Sequence, residues 1–229
     1  MRLRSILVLC IFFLTLGSIA QNGADQETGT WYILSTNNRV TDKLTINAQT
    51  QLRYFELASE IQQFKIRVGA TYNFNSTIGV TGGYAYFRND FSYLSDTPDE
   101  FTEHRTYEDV HVRNAIGKLR LLHRYRLEQR YIQGPGDNDF QQWMRYQLKL
   151  VYPLTEQWAL DLYDEVFINL EEPLFAQNWL GAGVTYQFIT SLKARIGFQK
   201  IHLDGPDFER ILLGLNWTTD FLKATDNDS

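Results

Sequence analysis

Of 229 residues only one is cysteine, Cys10, and it lies inside an apolar N-terminal run. A disulfide framework is thereby excluded, as is a metal site built on cysteine thiolates. Beyond residue 20 no stretch approaches about 18 consecutive apolar residues, so the sequence offers no helical membrane span. Basic charge is also short. The 22 Lys and Arg face 27 Asp and Glu, a net charge of −5, whereas domains that bind nucleic acid are as a rule basic. No glycine pattern of the Rossmann or P-loop kind occurs, and no serine motif accompanies His104, His111, His123 or His202. Asp109 and His111 would share a strand face with Arg113, which disfavours a bound cation. The sequence therefore names no catalytic group, cofactor or metal.

What is present begins with a leader. MRLRSILVLCIFFLTLGSIAQ sets two arginines before an apolar run from Ile6 to about Leu16, then a small-x-small site at Ser18-Ile19-Ala20. The pattern predicts a cleaved secretory signal over 1–20 and one domain over 21–229. Cys10 is within the run rather than at the cleavage point, which argues against a lipoprotein signal. Arg2 and Arg4 leave with the leader, so the remainder stands at 20 basic against 27 acidic residues, a charge of −7.

The rest of the chain alternates. In DKLTINAQTQLRYF, Leu44, Ile46, Ala48, Leu52 and Tyr54 take turns with Thr45, Asn47, Gln49, Gln51 and Arg53. FKIRVGATYNF, TIGVTGGYAYF, MRYQLKLVY, NWLGAGVTYQF, SLKARIGFQ and RILLGLNWT behave in the same way. A period of two belongs to strands, since a helix of period 3.6 would smear both classes around its circumference. Most segments run near ten residues, whereas soluble strands cluster at about five or six and tilted membrane strands need roughly nine to eleven. Such segments separated by turns are the signature of a transmembrane β-barrel.

Connectors and aromatics agree with that reading. Short turns (Asn73–Thr77, Gly117-Lys118, Pro153–Gln157, Ile189–Ser191) alternate with longer segments such as NDFSYLSDTPDEF, QGPGDND, LEEPLFAQ and HLDGPD. The longer set would face outside and carries Asp96, Asp99, Glu100, Asp137, Asp139, Glu171 and Glu172, solvated loop charge able to meet surface lipopolysaccharide through divalent cations. Tyr54, Tyr72, Phe74, Tyr152, Trp158, Tyr186, Phe188, Trp217 and Phe221 fall near strand ends, where a headgroup-level girdle would stand. Both chain ends on the inner side would require an even strand number. The expectation is an all-β, antiparallel, up-and-down barrel of about 12 strands, with 10 as the alternative.

KLRLLHRYRLEQRYI at 118–132 shows the two faces most sharply. Leu119, Leu121, Tyr125 and Leu127 would face lipid, and Arg120, Arg124, Arg126, Glu128 and Arg130 the lumen. The reverse assignment would cost about 2–4 kcal/mol for each cation at the midplane. Arg124 and Arg126 stand roughly 7 Å apart along one face, a repulsion of roughly 2 kcal/mol at an effective dielectric near 20. Asp161 and Glu165 are the candidate neutralisers, on one face with Tyr163 and Phe167, while Arg145 and Lys149 add positive charge. Two residues break the alternation: His123 points outward at mid-strand, and Asp164 does so unless a β-bulge near Tyr163–Glu165 returns it to the lumen.

Several blocks also carry a resemblance. GTWY at 29–32, TYNFNSTIGVTGGYAYF, EHR at 103–105, LRLLHRYRLEQRY at 119–131 and LYDEVFINL at 162–170 resemble the domain-of-unknown-function 2490 family. Its members are predicted outer-membrane proteins, many from Bacteroidetes-type bacteria. The resemblance implies a barrel in the outer membrane of a Gram-negative cell and, the family being uncharacterised, no activity or catalytic residue.

Three functions stay open at this stage. The first is a narrow pore or carrier for small, anionic solutes, using the arginine-rich lumen. The second is a plugged structural or interaction barrel working through its outer loops. The third, an outer-membrane lipid hydrolase, would need a nucleophile with a histidine partner. The partners implied are outer-membrane lipid, lipopolysaccharide and the barrel-insertion machinery.

Overall fold

Strand after strand forms where the period of two runs. In the computed structural model these are β1 (Thr28–Arg39), β2 (Leu44–Tyr54), β3 (Ile61–Asn73), β4 (Ile78–Asp90), β5 (Glu100–Ile116) and β6 (Leu119–Gln133). They continue as β7 (Asp139–Pro153), β8 (Trp158–Asn169), β9 (Phe175–Ile189), β10 (Leu192–His202) and β11 (Asp207–Asp220). The structure describes residues 23–222 apart from 96, 98 and 137. The leader and the loop acids Asp96 and Asp137 therefore lie outside the described residues.

The strands close in sequence order into one barrel. Consecutive strands pair antiparallel, but β1 and β11 pair parallel, from Thr28↔Glu209 to Arg39↔Asp220. Closure leaves no unpaired sheet edge, the condition for strands to sit in a medium without water. The strand count departs from the expected 12 or 10. A meander reverses at every turn, so eleven strands must close with the first and last running the same way. No strand precedes Thr28 among the described residues; Gly23–Gln26 make a turn instead, closed by Gln26 N–H donating to the Gly23 carbonyl at 2.9 Å. Residues 23–27 consequently lie at the long-loop end, and Phe221 at the end with the short turns.

Side chains sort by face as the alternation requires. Leu34, Ile66, Val68, Val110, Tyr125, Met144, Leu162, Leu180, Ile196 and Leu215 stand on the exterior, exposed and apolar. A continuous exposed apolar belt of this kind is the pattern of strands that face lipid. Around the short-turn end stands a ring of aromatics, with Tyr72 against Phe74 at 5.2 Å, Trp158 against Tyr186 at 4.6 Å and Tyr186 against Phe188 at 4.9 Å. Tyr54 belongs to the opposite end, where it meets Tyr32 at 5.8 Å.

The two outward polar residues that break the alternation each find a neighbour. His123 faces outward and its Nδ1 lies 2.9 Å from the Tyr146 hydroxyl. Asp164 also faces outward, which overturns the expected bulge: β8 keeps unbroken register with β7 throughout, and its one shift against β9 falls at Phe167/Ile168. Asn178 on β9 donates its amide to both Asp164 oxygens, at 3.2 and 3.3 Å, and this donor offsets part of the cost of an outward carboxylate.

Candidate functional site

The lumen is the site, and its charge is unevenly divided. Strands β5–β8 send inward Arg105, Arg124, Arg126, Arg130, Arg145 and Lys149, together with Glu103, Asp109, Glu128, Asp161 and Glu165. Glu128, 1 % exposed, accepts from Arg105 at 2.6 Å, Arg145 at 2.8 Å and Arg126 at 3.3 Å. Asp109 grips Arg126 through two parallel bonds of 2.6 and 2.7 Å. Glu165 takes Arg124 at 2.6 Å and Arg145 at 2.8 Å, and Glu103 takes Arg130 at 2.7 Å and Arg105 at 2.8 Å. Asp161 holds Lys149 at 3.0 Å and Arg195, from β10, at 2.8 Å. Bidentate and shared pairs of this kind are the strong form of ion pairing, and they fix strand to strand across this half of the wall.

Of the charged residues that the sequence placed in the lumen, Arg124, Arg126, Glu128, Arg130, Arg145, Lys149, Asp161 and Glu165 take part in ion pairs, several with other partners than those expected. Arg124 meets Glu165 as expected, Arg126 is neutralised by Asp109 and Glu128, and Asp161 serves Lys149 and Arg195. Arg120 stays exposed near the short turns and joins none of these pairs. Glu103, Arg105, Asp109 and Arg195 were not among the expected members.

The other half of the wall is different. On β1–β3 and β9–β10 no strand residue is acidic, and the acids of β11 lie outward or at its ends. Yet Arg53, Lys65, Arg67, Lys193 and Arg210 all line the cavity there. Among the described residues the Arg53 guanidinium bonds to the amide oxygen of Gln51 alone, at 2.9 and 3.1 Å, and stacks 3.6 Å over Trp31. Arg210 donates to two backbone carbonyls, those of Glu27 and Glu209. Lys65 is 8 % exposed, and its ammonium group has no hydrogen bond or ion pair among the described residues, the Nζ resting 5.6 Å from the Phe87 ring. Beside these cations lies an apolar wall of Trp31, Ile201 and Leu212 with Ile33, Trp179 and Phe208.

Backbone close to the lumen makes room for the large side chains. A Cβ on Gly83 would stand 2.3 Å from the Tyr107 ring, and one on Gly183 2.4 Å from the Arg195 guanidinium. The glycine pair in VTGGYAYF thus serves the wall: Gly83 seats Tyr107, whereas Gly82 faces open space outside.

One cavity of about 1110 Å³ runs through this interior. Its lining extends from Phe91, Phe101 and Leu203 at the long-loop end to Thr185, Lys193 and Asn216 near the short turns. Twelve Lys and Arg border it against Glu103, Glu128 and Glu165, so the space is positive although the chain is negative. A smaller cavity of about 420 Å³ branches toward the short-turn end of β2–β5, sharing Arg67, Tyr107, Arg124 and Arg126 with the first. Among the described residues no three His, Cys, Asp or Glu gather to hold a metal ion.

Comparison with known proteins adds a family and a fold likeness. The family described as "Protein of unknown function (DUF2490)" matches residues 28–211. A search of curated proteins finds no match. Among solved structures, the translocator domain of the autotransporter NalP from Neisseria meningitidis is 14 % identical with a TM-score of 0.46. The likeness covers 75 % of this chain and 72 % of that one.

Proposed function

We propose, from the premise that this chain belongs to the DUF2490 family of proteins of unknown function, that it is an outer-membrane barrel of a Gram-negative cell whose lumen passes small anionic solutes. The observation that carries this reading is the half-wall of Arg53, Lys65, Arg67, Lys193 and Arg210, none of which forms an ion pair with a carboxylate among the described residues. The repulsion of roughly 2 kcal/mol between alternate cations on one strand face persists at Lys65 and Arg67, and a passing anion offsets it. Rings and walls of Arg or Lys select anions in this way. A cavity of about 1110 Å³, spread along an apolar belt of roughly 25 Å, has a mean cross-section on the order of 40 Å², so solutes would move in single file.

The apolar belt and aromatic ring support the membrane setting. The acids at the long-loop end, Asp99, Glu100, Asp139, Glu171 and Glu172, suit divalent-cation bridges to lipopolysaccharide, and assembly would use the barrel-insertion machinery. A second reading has its own observation. Arg53 lies over Trp31 at 3.6 Å and near Trp179 at 5.8 Å, linking side chains from β1, β2 and β9 as a plug would. Uptake into proteoliposomes separates the two. The pore reading predicts entry of gluconate faster than glucose and glucose faster than glucosamine; entry of none of them by a barrel of verified heat-modifiable mobility would favour the plug.

A further inference from the structure

The cationic and apolar walls are adjacent, and together they describe more than a filter for ions. Ile33 on β1, Gln51 on β2 and Lys65 on β3 are successive register partners in one row. Two strand spacings, roughly 10 Å, therefore separate the backbone of apolar Ile33 from that of buried Lys65. On the far side of Ile33, Trp31 registers with Leu212 of β11 and packs against Trp179 at 5.3 Å. Buried polar atoms of the barrel as a whole lean one way. The Trp31, Trp143 and Gln199 side-chain N–H groups and the Nε of Arg124 and Arg210 lack acceptors among the described residues, against two such oxygens, on Thr30 and Gln63. An interior with spare donors and spare cations calls for an acceptor that is an anion.

We propose that this chamber is a binding site for a small amphipathic carboxylate, an acid group carried on an aromatic or short aliphatic body. Lys65 and Arg67 take the carboxylate, and Trp31, Ile33, Trp179 and Leu212 take the body. The inference rests on the anion-passing reading and narrows it: inorganic anions and hydrophilic acids satisfy the cations but make no use of the apolar wall. A neutral compound of the same shape covers that wall and leaves Lys65 unpartnered. Binding by both halves is what neither alone supplies.

The test uses the full chain refolded in detergent, with 4-phenylbutyrate, acetate and 4-phenylbutanol as probes, read by calorimetry and by fluorescence of the lumen tryptophans. Saturable binding of 4-phenylbutyrate at least tenfold tighter than either of the others is expected. Lys65→Gln should remove its advantage over 4-phenylbutanol, and Leu212→Gln its advantage over acetate, while both variants keep heat-modifiable mobility. Acetate binding as tightly as 4-phenylbutyrate would overturn the amphipathic site and leave the anion pore standing. Equal binding of 4-phenylbutanol, insensitive to Lys65→Gln, would show partition into apolar surface and overturn it as well. Failure of the pore reading itself would appear elsewhere, as absence of anion preference in uptake.

Discussion

Glu128 and Lys65 are both buried in the same lumen, and removing each should have opposite consequences. Glu128 accepts from three guanidinium groups, so Glu128→Gln leaves Arg105, Arg126 and Arg145 facing one another with less charge to hold them. A cost of about 3–5 kcal/mol follows from breaking a buried ion pair on one side, measurable by urea unfolding in lipid vesicles. Lys65 has no such partner, and its buried charge is a net expense to the fold. Lys65→Met should therefore leave stability within about 1 kcal/mol of the parent or above it, and a large loss would mean that Lys65 is held by something in the wall. Asp164 gives a third contrast. It faces outward between Leu148 and Leu180 in register, and Asp164→Leu should raise stability in bilayers by about 1 kcal/mol, since outward carboxylates cost less than outward cations but still cost. A drop instead would mean that the bonds from Asn178 outweigh that cost.

At the scale of elements, the parallel seam between β1 and β11 is the feature most open to direct measurement. Leu34 and Leu215 are register partners across it, and the chain beyond Cys10 has no cysteine to confuse the assay. Leu34→Cys with Leu215→Cys should be joined by a short thiol cross-linker in the folded barrel. An additional strand between them would place the pair roughly 10 Å apart and prevent it. This seam was hard to read from the sequence. Alternation marks most strands and their faces, which is why the outer and lumen sides of β2, β3, β6 and β10 were legible. Which strands meet at closure depends on the summed register of the whole sheet, and no local residue pattern records that sum. β5 was obscure for a related reason: its lumen face bears Glu103, Arg105 and Asp109 while its outward face bears His104, Thr106 and Glu108. With both faces polar, the period-two contrast flattens, and the carboxylates that neutralise Arg126 and Arg130 went unassigned. Asp164, in turn, was read as needing a bulge because its neighbour Asn178 is on another strand.

For the whole molecule, the account turns on charge divided between two half-walls. The arginine-rich strand β6 announced a positive lumen, yet Arg124 and Arg126 prove to be the cross-braced ones, and the uncompensated cations stand opposite on β2, β3 and β11. Their excess became visible only when the neighbours of each strand were known, because charge balance is a property of the assembled wall. Central to the account is the claim that the unpaired half sets the sign of what enters. It is tested by the reversal potential of single barrels in a planar bilayer under a potassium chloride gradient. Anion preference in the parent, lost in Lys65→Gln/Arg67→Gln with the barrel still folded, is the predicted result. Cation preference, or an anion preference unchanged by that pair of substitutions, would contradict it.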